Sequence, residues 1–258
     1  MLFRSVFMHR GHLMYTPSTI QLPPPAGQVS AEYLAFHESA ADCVAMLACL
    51  DFDSVVDRLL QRTRGNIYLP NELNRIGELS ETEQLRLASQ SVKLEDIPDL
   101  KTPVEALGYP QRHEMSLPLT GAAFDILAEV FQRLLVEDGL ISRELDEHSR
   151  QEADADESAV QAAFDEAYAG QHEAFKGALL DARDYLGNCL ATAWRSLSWD
   201  VTYEGVAAAM LAADRQVARG AGREVIIESL AWRGITVPFR SGRQTFGERV
   251  ARARARRW

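Results

Sequence analysis

The chain reads as a mainly α protein on three observations. Apolar residues recur at helical spacing in at least six segments. No segment alternates apolar and polar residues over a useful length, which argues against sheet. At 258 residues and 47% hydrophobic, the chain is long enough and apolar enough to bury a sizeable core.

The elements follow in order. Residues 1–30 end in QLPPPAGQ, whose three successive prolines favour an extended connector. Ser30 stands where an N-cap belongs, so a helix is expected over 31–49, with Leu34, Ala41, Val44, Ala45, Leu47 and Ala48 as its apolar set. A second helix should run through DFDSVVDRLLQRTRG and stop at Gly65, followed by a turn and a short helix in NIYLPNELNRIGE. Pro98, Pro103 and Pro110 punctuate an irregular stretch from about 80 to 110. The clearest helix is LPLTGAAFDILAEVFQRLLVEDG, 117–139, which carries Ile126, Leu127, Val130, Phe131, Leu134 and Leu135 and ends at Gly139. An acidic segment at 143–157 reads as a solvated linker or a helix start. A long helical stretch over 157–197 and two more, in DVTYEGVAAAMLAADRQ and REVIIESLAWRG, complete a helical domain over 31–238. An Arg-rich tail, 239–258, follows.

Charge and cysteine usage exclude several function classes. The net charge is −10, yet the last twenty residues hold seven arginines against one glutamate, which leaves −16 on the rest. An acidic body makes nucleic acid an unlikely partner. No apolar run reaches the roughly 18 residues that a membrane span needs, so no membrane is implied. Cys43, Cys49 and Cys189 have no CxxC spacing and suggest buried thiols in a reducing compartment, which favours the cytoplasm.

The stretch AEYLAFHESAADCVAML, 31–47, carries the chemistry worth testing. Glu38 and Asp42 are four residues apart, so on a helix both carboxylates project from one face, one turn apart. Like charges at that spacing repel unless a cation lies over them. Spacing alone leaves two readings open: two solvated acids on a polar face, or a metal ligand and the carboxylate that orients a second ligand. His37 points about 100° away from Glu38 and so does not share a ligand with it.

FHESAADCVAML resembles the glutamate helix of thermolysin-like zinc metallopeptidases, the gluzincins, where Glu-x-x-x-Asp lies downstream of a His-Glu-x-x-His helix. RHEMSLPLTGAAFDILAEVF resembles the later family segment, in which a histidine precedes a small-residue turn and a helix. The resemblance implies the helical lobe of a zincin-like fold, with Glu38 as a zinc ligand, Asp42 orienting a zinc-bound histidine, and His113 stabilising the oxyanion formed when metal-activated water attacks a peptide bond. Ser116, Thr120 and Gly121 would make the polar start of the following helix. The implied cofactor is zinc and the implied partner a peptide or protein substrate.

This chain departs from the family in one respect: it contains no HExxH. That motif supplies two ligands and the general base. His9 and His12, in HRGH, lack both the spacing and the glutamate. Two expectations follow: a fragment truncated before its zinc helix, or a degenerate homologue, either one inactive by itself. The alternative is a non-catalytic helical protein-interaction module.

Overall fold

A computed structural model describes residues 29–69, Leu73, 91–97, 109–149 and 157–237. Among them stand eight α-helices, one short 3-10 turn at Leu94–Asp96, and no strand. The helices are α1 (Ala31–Cys49), α2 (Asp53–Thr63), α3 (Tyr109–Glu137), α4 (Arg143–Ser149), α5 (Glu157–Tyr168), α6 (His172–Trp194), α7 (Tyr203–Ala218) and α8 (Arg223–Trp232). None of the described helices is long and apolar enough to cross a membrane. The expected mainly α class holds.

The Ser30 hydroxyl accepts from the Tyr33 amide at 3.0 Å, which satisfies one of the free donors at the α1 start and fixes the boundary where the sequence placed it. Thr202 caps α7 in the same way through Gly205. The α2 end turns at Arg64, left-handed, and then Gly65 with φ +88. A Cβ at Gly65 would sit 2.4 Å from the Phe175 ring, so both the conformation and the packing demand glycine there.

α3 is the central element and packs against α1, α6 and α8. All six of its expected core residues are buried. It differs from expectation at its start: the helix begins two turns early and passes through Pro118. Proline is tolerated best in a first turn, so a proline this far inside a helix is uncommon. The expected stretch over 157–197 is two helices, α5 and α6, broken at Gly170 with φ +74. The acidic segment begins as α4, and residues 150–156 lie outside the described residues. So do QLPPPAGQ, the HRGH segment and the Arg-rich tail.

α1 buries a different face from the one its apolar residues suggested. Ala35, Phe36, Ser39, Asp42, Cys43 and Met46 point inward, whereas Ala41, Val44, Ala45 and Ala48 face out. Cys43 and Cys189 are buried free thiols as expected, but Cys49 is exposed at the end of α1. Burial, reinforced by Asp42, pushes the Cys43 thiol up to about 12, so it stays protonated.

Across the molecule, Arg233 is fully buried just past α8. Its Nε and Nη2 donate to Asp125 Oδ2 of α3 at 3.1 and 3.0 Å, and Nη1 donates to the Val92 carbonyl at 3.1 Å. The Leu94 amide donates in turn to the Arg233 carbonyl at 2.9 Å, and the guanidinium lies 4.4 Å from the Trp232 ring centroid. Residues 92–94 are thereby pinned to the helical body.

Candidate functional site: a polar ladder between α1 and α3

The helix over 31–49 places Glu38 and Asp42 on one side, and α3 supplies partners for both. Glu38 Oε2 lies 3.0 Å from His113 Nδ1. One turn further along α1, Asp42 Oδ2 accepts from Thr120 Oγ1 at 3.2 Å, and Thr120 Oγ1 is 3.1 Å from Ser39 Oγ. Thr120 has one hydroxyl proton, so when it donates to Asp42 it accepts from Ser39. The result is two rungs: an outer carboxylate–imidazole pair and an inner, buried chain from Ser39 through Thr120 to Asp42. Position numbers rise together along both helices, so α1 and α3 run in the same general direction.

The rungs differ in their surroundings. Glu38 and His113 keep 34% and 19% of their side-chain surface in water. Asp42, Ser39 and Thr120 are 5% exposed or less. Of the two readings of the acid pair, two solvated acids therefore fails for Asp42, which is an interior carboxylate held by hydroxyls. The group facing Glu38 is an imidazole. Nδ1 of His113 is the nitrogen turned to the carboxylate.

The expected site residues thus come together, with two differences of setting. His113 is not in a loop before the helix but within it, one turn upstream of Pro118. Ser116 and Thr120 do not make a polar helix start either; both are buried, and the Ser116 hydroxyl donates back to the His113 carbonyl at 2.6 Å. His37 points away as expected. Its ring packs on Tyr33 at 4.3 Å between centroids, and the resulting desolvation lowers its pKa while neighbouring Glu38 raises it.

The described residues do not complete a zinc site. No group of three His, Cys, Asp or Glu side chains among them could hold a metal. Glu38 and His113 provide one carboxylate and one imidazole where a catalytic zinc takes about three protein ligands. Asp42 is engaged with Thr120.

A second polar cluster was missed in the sequence. His172 and Lys176, four apart on α6, face Asp53 and Asp57, four apart on α2. Lys176 Nζ reaches Asp57 at 2.8 Å and Asp53 at 3.1 Å, His172 Nε2 meets Asp57 at 3.0 Å, and the Tyr168 hydroxyl bonds to His172 Nδ1. The Lys176 bond, then the His172 bond, holds the Asp57 carboxyl below its usual range, and the Asp57 bond raises Lys176. Opposite charges at matching i, i+4 spacing on two helices were the available signal. The cluster reads as a tie between α2 and α6.

In comparisons with known proteins, no family model, no curated protein and no solved structure matches the chain.

Proposed function

We propose that Glu38, Asp42 and His113 are the glutamate-and-histidine half of a thermolysin-like hydrolytic site, carried on the helical lobe of a zincin-like fold, and that the described residues alone do not catalyse. The observation that carries this reading is the 3.0 Å approach of His113 to Glu38. Two segments singled out separately, far apart in sequence, meet at the side chains that the resemblance assigned. In this reading Glu38 is a zinc ligand, Asp42 orients a ligating histidine, and His113 offers a hydrogen bond to a developing oxyanion on a peptide substrate. The two further ligands and the general base come from outside the described residues or have been lost.

The rival reading is an interaction module that covers the outward side of α1 with its own first thirty residues. Val44 is 51% exposed, beside exposed Ala41, Ala45 and Ala48. In a peptidase fragment this is the face on which a neighbouring helix would pack. The test has two parts. The 258-residue chain should show no chelator-sensitive peptide cleavage. Sequencing the genomic locus upstream of the Met1 codon should reveal an in-frame HExxH; a stop codon and promoter with no such motif would sink the hydrolase reading in favour of a binding role.

A further inference from the structure

Asp214, on α7, is 1% exposed and serves the turn between α7 and α8 twice. Its backbone carbonyl accepts from the Gly220 amide at 3.3 Å, and its side-chain Oδ1 accepts from the Gly222 amide at 2.9 Å. Oδ1 also accepts from the wholly buried Tyr185 hydroxyl of α6 at 2.9 Å. A Cβ at Gly222 would collide with that hydroxyl, so glycine is what lets the phenol reach the carboxyl group. Both donors fall on one oxygen. Among the described residues, buried Oδ2 has no hydrogen-bond partner.

We infer that Asp214 Oδ2 is a proton-binding site, and that its occupancy sets how firmly the turn over 219–222 is held to α6. A carboxylate with one bare oxygen is costly to bury, whereas a proton on Oδ2 removes the charge and leaves both bonds to Oδ1 in place. Tyr185 keeps its proton, because burial drives the phenol far up, so it remains a donor. Cys189, one turn further along α6, stays a neutral thiol, pushed up to about 12 by burial and then by Asp214. Arg223 at the start of α8 favours the ionised form of Asp214, while Arg133 of α3 bears on Tyr185 and pairs with Glu224 at 3.5 Å. Burial outweighs the pull of Tyr185, Gly222 and Arg223 and raises the Asp214 carboxyl. With the folded value above the unfolded one, the stability that Asp214 contributes is complete below about 3.9 and is lost as the pH rises through the folded value.

Carbon-13 NMR of the Asp214 carboxyl in the full chain should give a titration midpoint above about 3.9. Y185F should move that midpoint up by about one unit more, because the lost hydrogen bond favours the charged form. A Tyr185 that only fills space would not shift it. In urea, the unfolding midpoint of the wild type should fall relative to that of D214N as the pH rises through the Asp214 value. An Asp214 midpoint at or below about 3.9, as when water satisfies Oδ2, or one that Y185F leaves in place, would overturn the proton site. Should Y185F not fold, the wild-type titration and the D214N curve still decide, with parallel urea curves counting against the inference.

Discussion

Two ion pairs hold α3 to its neighbours at the same 3.0 Å separation, and they differ in every other respect. Arg233 and Asp125 are 1% and 17% exposed at the side chain, and the guanidinium spends its donors on a carboxylate and a backbone carbonyl. Glu38 and His113 are more open, and His113 stands one turn before a proline. The first pair is built to stay made, since a buried charge stripped of its partner is costly. The second can break cheaply, because both partners can turn to water. A separation read off two atoms does not distinguish a structural bond from a site; the surrounding donors and solvent do.

Breaking the buried pair should have the largest effect. Arg233→Met leaves Asp125 without its guanidinium and frees residues 92–94, and should cost roughly 3–5 kcal/mol in urea unfolding; a loss no larger than that of an exposed pair would mean the clamp is not structural. The inner rung comes next. Thr120→Val keeps the shape and removes the hydroxyl from buried Asp42, at about 1–2 kcal/mol, and Thr120→Ser should restore most of it. His113→Ala should cost under about 1 kcal/mol, and equal losses for the Thr120 and His113 variants would erase the distinction between the rungs.

The smallest effect is one of pH. Asp57 is held below its unfolded value, so the stability it contributes is present above that unfolded pKa of about 3.9 and is lost as the pH falls through the folded value. The unfolding midpoint of the wild type should therefore drop on acidification more steeply than that of Asp57→Asn, with parallel curves counting against the α2–α6 tie.

Much of this was legible in the sequence because it is local. Ser30 as a cap, Gly65 as a stop and the core residues of α3 follow from propensity and period, which tertiary contacts here reinforce. Glu38 and Asp42 sharing a face needed only the helix. Which face of α1 is inside did not follow, since Ser39, Asp42 and Cys43 turn inward only because Thr120 and the small residues of α3 receive them. The start of α3 was misplaced for a related reason. Local rules put proline in a first turn, whereas Tyr203 and Glu38, both remote in sequence, help hold the preceding turns helical.

The shared direction of α1 and α3 also has a kinetic side. Helices joined by a short turn pack antiparallel, so two that run alike must be brought together by a long return of the chain. The α1–α3 interface, the most extensive among the described helices, thus spans a wide sequence gap, whereas α6, α7 and α8 are consecutive neighbours. Loop closure delays the distant pairing. In a pulse-labelling refolding experiment α6–α8 should gain protection first and α1 afterwards, so that the carboxylates meet their partners only when the rest of the body is already in place.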